Sequence, residues 1–311
     1  MARIVVLTPN PAIDVTYVVS EFKEHETNRV GSVARRAGGK GVNVSRVLAQ
    51  LGFDSTNVLP LGGSAGEWMA AMLARDGLAF SSVPISVETR TTVTIVDGDT
   101  HPTLFAEPGP QLDTNELELL SEAVRAECAG ADLLVISGSL PPGMPPAIIE
   151  DWVADARAVG VPTILDTGGQ GLLAGARAGA DILKPNEDEL REATGSESVH
   201  AGTRVLRGLG ARLVVVSRGS RGMVAARGDD RFEVDAVPGI SGNPTGAGDA
   251  ATAGLASAFV EHLAIDEMLH RARALGAAAV LTPLAGDIDL EAYRRFLASS
   301  APPSNAIGEP A

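Results

Sequence analysis

Residues 132–166, DLLVISGSLPPGMPPAIIEDWVADARAVGVPTILD, contain two apolar strands separated by a helical pattern. Asp132–Ser137 and Pro162–Asp166 are apolar almost throughout, which is typical of strands buried on both faces of a sheet. Between them, Pro146–Val159 carries apolar residues at three- and four-residue spacing, and Gly160 follows where a helix would end. A strand, a helix and a second strand in this order predict a parallel β-α-β unit.

The same alternation of apolar runs and helical patterns continues along most of the chain. Further apolar runs of strand length are Ile4–Thr8, Asn57–Leu61, Asp181–Lys184 and Leu213–Ser217. Further segments with helical spacing of apolar residues are Val42–Leu51, Ala65–Arg75, Thr114–Ala129, Ala201–Leu209, Ala247–Leu263, Ile265–Leu281 and Leu290–Leu297. Because strands and helices alternate, the sequence predicts a doubly wound α/β fold with a mostly parallel sheet flanked by helices.

Two pairs of strand-like segments have no helix between them. Val15–Val19 is followed by Arg29–Ala34, and Thr91–Val96 is followed by Thr103–Ala106 across the turn signal Asp97-Gly98-Asp99. Strands that follow each other this closely pair as hairpins, so we expect a small separate β-sheet, here called the lid. The apolar side chains that we expect to be exposed on one side of the lid or the other are Val15, Tyr17, Val19, Val93, Ile95 and Leu104.

The domain organisation follows from these segments. We expect a single α/β domain over residues 1–298, with the lid strands within about 15–34 and 89–106. From Ser299 onward Pro, Ser and Gly dominate, and we expect residues 299–311 to form a disordered tail.

Composition excludes several classes of protein. The chain has 25 Lys and Arg against 39 Asp and Glu, so at a net charge of −14 we expect neither nucleic acid nor an anionic membrane as a partner. Its single cysteine, Cys128, excludes an intrachain disulfide. Ile4–Leu7 is too short for the apolar region of a signal peptide, and no apolar run reaches the roughly 18 residues of a membrane span. We therefore expect a soluble, cytoplasmic protein.

The motif with the strongest chemical signal is Asn243-Pro244-Thr245-Gly246-Ala247-Gly248-Asp249, directly before a long Ala-rich helix. Gly246 and Gly248 allow the backbone to approach a ligand closely, and the first N–H groups of the helix favour an anion such as a phosphoryl group. Asp249 lies beside this anion site, where its carboxylate can accept the proton of an attacking hydroxyl. The alternative is a plain glycine-rich helix start whose aspartate favours the helix dipole.

A second glycine cluster, Ala37-Gly38-Gly39-Lys40-Gly41-Val42-Asn43, also opens a helix. Its backbone can approach a polyhydroxylated ligand, and the Asn43 amide can donate and accept hydrogen bonds. The cluster is not a Walker A loop, because Ala34 and Gly41 stand where that motif requires Gly and Ser or Thr. The alternative is an ordinary strand-to-helix turn with Asn43 exposed. Lysine occurs only three times in the chain, and Lys40 is one of two lysines in such loop motifs.

Polar residues follow several predicted strands at the same edge of the sheet. Asp14 follows the first strand, where it can accept hydrogen bonds from two sugar hydroxyls or cap a turn. Ser137–Pro141 and Lys184–Glu189 end two further strands. Because the carboxyl ends of parallel strands meet at one edge, we expect these segments to form one ligand site. Asp166 and Glu189 supply oxygens suited to hold Mg²⁺ through water, although a surface acid is more often simply solvated.

A competing interpretation is a dinucleotide-binding loop. Gly169–Ala174 follows the strand Pro162–Asp166 and matches the pattern G-x-G-x-x-A, with Glu189 some twenty residues on. The match is weak because Thr167-Gly168 separates the strand from the first glycine and only about eight residues remain for the crossover helix. A dehydrogenase is therefore the weaker hypothesis.

Taken together, these segments resemble the PfkB family of carbohydrate kinases, which have the ribokinase-like fold. The resemblance covers nearly the whole chain, in the segments Thr8–Asp14, Ala37–Asn43, Ser137–Pro142, Lys184–Glu189, Val216–Gly222 and Thr245–Asp249. Within the family, the chain is most similar to the branch of 1-phosphofructokinase and tagatose-6-phosphate kinase, on the segments Asn10–Asp14, Asn28–Val30 and Ser137–Gly143. Asn243–Asp249 and Ala285–Leu290 favour the tagatose-6-phosphate side.

The resemblance implies a role for each matched position. Asp249 would be the base, beside an anion hole formed by the backbone amides of Gly246, Ala247 and Gly248. The phosphosugar would contact Asp14, Gly38, Gly39, Asn43, Arg90 and Ser139, with Arg90 able to grip the existing phosphate bidentately. The nucleotide site would be lined by Gly248, Lys184, Asn186, Ser217, Arg218, Gly219, Ser220, Arg221 and Gly222. Asp166 and Glu189 would organise Mg²⁺.

The expected function is the ATP- and Mg²⁺-dependent phosphorylation of a ketohexose phosphate, tagatose 6-phosphate or fructose 1-phosphate, to a bisphosphate. Minor 6-phosphofructokinases carry a lysine near the segment Thr27-Asn28-Arg29, and here Arg29 is the only cation in that segment, which weakens fructose 6-phosphate as the substrate. The alternatives are a kinase of fructose 6-phosphate, a free hexose or a nucleoside, and a non-catalytic sugar-binding regulator on the same fold. The resemblance also implies a homodimer through the lid.

Overall fold

The computed structural model describes residues 2–97 and 102–299. Residues 300–311 of the expected tail and Gly98-Asp99 of the expected turn lie outside the described residues. The strands are β1 (Arg3–Leu7), β2 (Ala12–Val18), β3 (Ser32–Gly38), β4 (Asp54–Gly62), β5 (Ala79–Ile85), β6 (Arg90–Val96), β7 (Thr103–Ala106), β8 (Leu133–Ser137), β9 (Thr163–Asp166), β10 (Ile182–Leu183), β11 (Leu213–Ser217), β12 (Met223–Arg227) and β13 (Asp230–Val234). The helices are α1 (Lys40–Gln50), α2 (Gly63–Arg75), α3 (Thr114–Cys128), α4 (Ile148–Ala158), α5 (Gly169–Ala178), α6 (Glu187–Thr194), α7 (Val199–Leu209), α8 (Ala247–Val260), α9 (Ile265–Val280) and α10 (Leu290–Ala298).

The larger sheet has nine strands among the described residues, in the order β13-β12-β11-β10-β9-β8-β1-β4-β5. Strand β1 pairs in parallel with β4 and β8, and parallel pairing continues from β8 through β9 and β10 to β11. At one edge, β12 pairs antiparallel with both β11 and β13. The predicted doubly wound, mostly parallel sheet is therefore confirmed.

Helices cover both faces of this sheet, and alternate residues of a central strand face the two layers. On β1, Ile4 and Val6 pack with α1, α8 and α9, whereas Val5 and Leu7 pack with α3, α4 and α5. All four side chains are fully buried. Burial on both faces is the reason why the central strands are apolar throughout instead of alternating with polar residues.

The lid is a four-stranded sheet in the order β3-β2-β6-β7. The pairs β2–β3 and β6–β7 are antiparallel, and parallel pairing of β2 with β6 joins them. The register places Arg36 and Thr92 opposite Asp14 on its two neighbouring strands. These three side chains therefore share one face of the lid.

The position of one lid strand differs from the prediction. The strand expected at Arg29–Ala34 is β3, Ser32–Gly38. Pairing with β2 continues without a break from Ser32 to Gly38, so the ladder runs directly into the glycine cluster that opens α1. The segment interpreted as a loop at Ala37-Gly38 thus begins as a strand.

Burial in the lid also differs in part from the prediction. Val15 and Val19 are 5% and 6% exposed, so the expectation that they are exposed is wrong. Val15 lies on a central strand of the lid, with Arg35 opposite it on β3 and Val93 opposite it on β6. Leu104 is 57% exposed, as predicted.

Among the described residues, three strands and two helices, α5 and α6, were not expected. β5 contains two serines and a proline, which hide the apolar pattern of a strand. β12 and β13 form an antiparallel hairpin, and the mostly polar sequence of β13 gave no strand signal. α6 begins inside Lys184–Glu189, a segment interpreted only as the end of a strand.

The described helices are short. The longest of those with bounds given above, α9, has 16 residues. Within residues 2–97 and 102–299, no helix combines the length and apolarity needed to cross a membrane.

Candidate active site

A cleft of about 860 Å³ lies between the carboxyl edge of the larger sheet and one face of the lid. Because β1, β8, β9, β10 and β11 are parallel, the residues that follow them meet at this edge. The predicted site residues that line the cleft are Asp14, Gly39, Asn43, Arg90, Ser139, Asp166, Lys184, Asn186, Glu189, Ser217, Gly246, Gly248 and Asp249. The sequence motifs thus come together in one place.

Asp249 lies in the first turn of α8 and is only 7% exposed. The Asn43 side-chain amide donates a hydrogen bond to its Oδ2 at 2.9 Å. Burial raises the pKa of Asp249 to about 7, and the negative charge of Asp166 adds to the increase. A carboxyl that titrates near neutral pH is well matched to accept a proton and release it again.

Gly246 is the residue before α8 and has a φ of 84°, in the left-handed region that favours glycine. A Cβ at this position would also lie 2.9 Å from the Ala285 Cα, so the close packing requires glycine as well. The Ala247 N–H, expected in the anion hole, donates to the Pro244 carbonyl at 3.1 Å. The N–H groups of Gly246 and Gly248 remain the candidates to bind an anion at this helix start.

Asp166, at the end of β9, is buried and lies at the centre of an ionic cluster. Lys184 Nζ lies 3.2 Å from its Oδ2 and Lys40 Nζ lies 3.5 Å from its Oδ1. The Thr252 hydroxyl donates to Oδ2 at 2.6 Å. Burial raises the pKa of Asp166, but the charges of Lys184 and Lys40 lower it more, so the net pKa is below its ordinary value. Asp166 therefore stays ionised while Asp249 titrates.

Lys40 and Thr252 were not predicted as site residues. Lys40 lies at the start of α1 and reaches both Asp166 and Glu189, the latter at 3.2 Å. Its signal in the sequence was the scarcity of lysine combined with its place in a glycine cluster. Thr252 follows Asp249 by three residues, a spacing that places both on one side of α8.

Asn186 and Glu189 have a structural role besides any ligand role. They form a reciprocal capping box at the start of α6, in which each side chain accepts from the other's backbone N–H at 2.8 Å. Glu189 Oε1 meanwhile faces Lys40 in the cleft. The cap fixes the position of this carboxylate.

The cleft suits a magnesium ion that arrives with phosphate groups. The described residues contain no group of three or more His, Cys, Asp or Glu side chains that could hold a metal ion alone. Asp166 and Glu189 are two carboxylates facing one ammonium group, that of Lys40. Mg²⁺ commonly uses one or two protein carboxylates together with waters and substrate phosphates, so this donor set fits it.

At the lid end of the cleft, Asp14 accepts a hydrogen bond from the Thr92 hydroxyl at 2.7 Å. Burial raises its pKa, and the hydrogen bond from Thr92 opposes the increase. A Cβ at Gly38 would lie 2.0 Å from Asp14 Oδ2, so glycine at 38 makes room for this carboxylate. Gly39 has a φ of 96° and packs against Pro11, which explains the second glycine.

Arg90 lines the cleft near Asp14, but part of its guanidinium is already bound. Nη1 donates to the Glu107 carbonyl at 2.7 Å and Nη2 donates to the Asn10 carbonyl at 3.0 Å. Each of these nitrogens carries one further N–H that can face a ligand. Ser139 lies nearby, since its Oγ accepts from Asn10 Nδ2 at 3.2 Å.

Of the segment predicted to line the nucleotide site after β11, only Ser217 lines the cleft among the described residues. Arg218 instead pairs with Glu233 at 2.7 Å, and Arg221 pairs with Glu187. The remaining predicted residues, Gly219, Ser220 and Gly222, belong to the short turn between β11 and β12. Their role at a nucleotide stays a prediction.

A buried carboxyl beside a glycine-rich helix start, at the ligand edge of a doubly wound sheet, is an arrangement suited to a phosphotransferase. Residues 3–292 match the pfkB family carbohydrate kinases, and the chain belongs to this family. It is therefore an ATP-dependent sugar phosphotransferase, and the dehydrogenase hypothesis is wrong. Gly169–Ala174 instead lies within α5, and a Cβ at Gly171 would lie 3.1 Å from side-chain atoms of Ile149 and Thr167.

Sequence and structure comparisons with known sugar kinases are consistent with this family. The ATP-dependent 6-phosphofructokinase isozyme 2 of Mycobacterium tuberculosis is 33% identical over 309 residues, covering 97% of this chain and 91% of the relative. Phosphofructokinase-2 from Escherichia coli in complex with fructose-6-phosphate has a TM-score of 0.87 at 29% identity, and its tetrameric inhibited form has 0.87 at 28%; each comparison covers 96% of this chain and 99% of the other. Arabidopsis thaliana ribokinase complexed with ribose and ATP has a TM-score of 0.74 at 26% identity, covering 96% and 100%. The predicted ribokinase-like fold is confirmed.

Proposed function

We propose that this protein transfers the terminal phosphoryl group of ATP to a free hydroxyl of a ketohexose phosphate, which gives a ketohexose bisphosphate and ADP. The observation that carries the proposal is Asp249, a buried carboxyl with a pKa of about 7 that Asn43 holds beside the start of α8. The acceptor oxygen attacks the terminal phosphorus, the bond to the bridging oxygen of ADP breaks, and Asp249 takes the hydroxyl proton.

The anion hole of this proposal is the start of α8. The N–H groups of Gly246 and Gly248, with the positive end of the helix dipole, stabilise negative charge on the transferring group. Lys184 adds a positive charge on the same side, because its Nζ lies 3.8 Å from where a Cβ of Gly248 would be. The nucleotide then extends along the edge of the larger sheet past Asn186 and Ser217.

Asp166 and Glu189 would hold Mg²⁺ together with the nucleotide phosphates. Bound there, the ion would neutralise phosphate charge during transfer. Lys40 faces both carboxylates, so its ammonium group orients them before the nucleotide binds.

The lid end of the cleft supports an acceptor that already carries a phosphate. Asp14 accepts from sugar hydroxyls, and Arg90 lines the same end of the cleft with a further N–H on each terminal nitrogen. Fructose 6-phosphate is bound by the Escherichia coli relative, and the Mycobacterium tuberculosis relative is a 6-phosphofructokinase. We therefore put the 6-phosphates of fructose and tagatose, which differ only at one carbon, ahead of fructose 1-phosphate.

A substrate panel tests this function. ADP release is measured by a coupled assay with fructose 6-phosphate, tagatose 6-phosphate, fructose 1-phosphate, fructose, ribose and adenosine. Each acceptor is assayed with MgATP, and again with ATP but no added metal. We expect kcat/KM for a ketohexose 6-phosphate to exceed that for the free sugars by at least about a hundredfold, since a bidentate phosphate contact is lost with the latter. Preference for a free sugar or a nucleoside would contradict the proposal, and ADP release with no acceptor would leave only an ATPase.

We also propose a homodimer through the lid. Phe105 on β7 and Val33 on β3 are 56% and 47% exposed. The ladder positions of Phe105 opposite Val93, and of Val33 opposite Tyr17, place these apolar residues on the face of the lid away from the cleft. An exposed apolar sheet face of this kind is suited to a second copy, and the Escherichia coli relative is known in a tetrameric form.

A further inference from the structure

The loop between α9 and α10, residues 281–289, contacts three parts of the molecule that meet at the cleft. Both of its ends are fixed on α9. The Thr282 hydroxyl donates to the Ala279 carbonyl at 2.8 Å, and the Asp289 N–H donates to the Ala278 carbonyl at 3.2 Å. The middle of the loop, Ala285-Gly286-Asp287, is held by other elements as well as by Thr282, whose hydroxyl lies 3.2 Å from the Asp287 carbonyl oxygen.

Asp287 ties this loop to the lid. Arg36 on β3 donates from Nη1 and Nη2 to the two carboxylate oxygens of Asp287, at 2.7 and 2.9 Å. Nη1 also lies 3.5 Å from the Ala285 carbonyl oxygen. The pair is bidentate, and its side chains are 21% and 36% exposed, so it is stronger than an ordinary exposed ion pair.

The two residues before Asp287 pack against the reaction site. A Cβ at Gly246 would lie only 2.9 Å from the Cα of Ala285, so Ala285 packs directly against Gly246. A Cβ at Gly286 would lie 3.0 Å from Asn43 Oδ1. Asn43 is the residue that donates to the base Asp249. The loop therefore forms the wall behind both the anion hole and the partner of the base.

A second attachment holds the loop to α1. Gln50 Nε2 donates to the Gly286 carbonyl at 2.7 Å, and the Ile288 N–H donates to Gln50 Oε1 at 3.2 Å. Gln50 fixes the α1 side of the loop, and Arg36 fixes the lid side. Without the ion pair, Gln50 would still hold Gly286 on α1, but the carboxylate link from the loop to the lid would be lost.

We propose that Arg36 and Asp287 are a positioning pair for phosphoryl transfer. The ion pair holds Ala285 against Gly246 and Gly286 against Asn43, which keeps the anion hole and the base in line with the lid that carries the sugar. This inference rests on the proposed kinase function. Arg36 also lines the cleft, so direct contact with the substrate phosphate is the competing role that the test must separate.

The test is a double-mutant cycle with Asp287→Asn, Arg36→Gln and the double variant. We expect each single change to lower kcat about tenfold, the double variant to lose no more than either single one, and KM for the phosphosugar to stay within about twofold. The exchanged pair, Arg36→Asp with Asp287→Arg, should recover part of kcat. The matched control is Asp155→Asn, which breaks an Arg125–Asp155 pair at 3.1 Å with similar aspartate exposure, 35%, far from the cleft.

A pH profile separates positioning from simple destabilisation. The hydrogen bond from Asn43 lowers the pKa of Asp249, so loosening it should move the acidic limb of kcat to higher pH in Asp287→Asn. The charged groups around Asp249, namely Asp166, Lys40 and Lys184, are unchanged in this variant. An unshifted limb with only a lower melting temperature would contradict the proposal.

Two further outcomes decide the matter. A KM for the phosphosugar raised more than about tenfold with unchanged kcat would assign Arg36 to substrate binding and overturn the positioning role. Amide hydrogen exchange of the peptide covering residues 243–250 gives a readout without turnover: we expect faster exchange in Asp287→Asn than in the parent or in Asp155→Asn. Unchanged exchange would overturn the proposal, whereas a parent enzyme inactive on every phosphosugar would overturn only the proposed function.

Discussion

Two buried carboxyl groups in one cleft have opposite pKa shifts, and their neighbours explain the difference. Asp166 faces two lysines and a donating hydroxyl, which keep it ionised despite burial. Burial raises the pKa of Asp249 to about 7 and the charge of Asp166 adds to the increase, whereas the charge of Lys40 and the hydrogen bond from Asn43 oppose it. Groups with pKa values separated in this way commonly divide the roles of proton acceptor and fixed charge.

Asp249→Asn tests the role of the base. The change is nearly isosteric, so the fold and MgATP binding should persist, while kcat should fall by roughly 10²–10⁴-fold with little change in KM. Steady-state kinetics and a thermal melt with and without MgATP measure both. Asp151→Asn is the control, because Asp151 is also an acid in the first turn of a helix but is exposed. Equal kinetics for the two variants would show that Asp249 only favours the helix dipole.

The pH dependence of the parent enzyme follows from the same residue. Because Asp249 must be deprotonated to accept a proton, kcat should rise through about pH 7 and fall about tenfold per pH unit well below it.

The stability of the fold should also depend on pH through Asp249. Since burial raises the pKa of Asp249 in the folded state, the stability that its carboxyl group contributes is present at low pH and is lost as pH rises through about 7. Asp249→Asn should therefore raise the melting temperature relative to the parent more at pH 8 than at pH 5, and an equal difference at both would contradict the raised pKa.

At the scale of elements, the sequence predicted the position of the site wherever that position is set by the ends of parallel strands. Apolar strands ending in Asp166, Lys184 and Ser217 predicted one ligand edge, because parallel strands direct their carboxyl ends to the same side. Lys40 and Arg36 were missed as site residues, since their importance comes from partners 126 and 251 residues away in the chain. Patterns within a short stretch of sequence do not predict ion pairs between residues so far apart in the chain.

Glycine at position 38, the last residue of β3, leads to a testable prediction. In Gly38→Ala, the new Cβ would stand 2.0 Å from Asp14 Oδ2, so the carboxylate must leave its place on the lid. We expect KM for the phosphosugar to rise about ten- to a hundredfold, with KM for ATP nearly unchanged, as measured by varying each substrate in turn. Gly31→Ala is the control within the lid, because its Cβ would meet only the Val18 carbonyl oxygen at 3.4 Å. Equal losses for both substrates would contradict this role of Asp14.

At the scale of the whole molecule, the exposed face of the lid predicts the assembly. Light scattering should give twice the mass of one chain for the parent, and Phe105→Glu should give a monomer, because a charge on this apolar face opposes its burial. Val159→Glu changes a side chain of similar exposure, 58%, just beyond α4, and should remain dimeric. A stable, active parent monomer would contradict a dimer through the lid.

The sharing of each central strand between two helix layers has a consequence for how the molecule loses its structure. If the layer of α1, α8 and α9 opened alone, Ile4 and Val6 would be exposed to water while Val5 and Leu7 stayed packed. Such a half-open state loses the free energy of apolar burial on one face of every shared strand. It gains little conformational entropy in return, because the strands themselves remain ordered. Asp249 on one helix layer and the proposed nucleotide site at the edge of the larger sheet are thus parts of a single cooperative unit. We expect thermal unfolding to disrupt both in one transition.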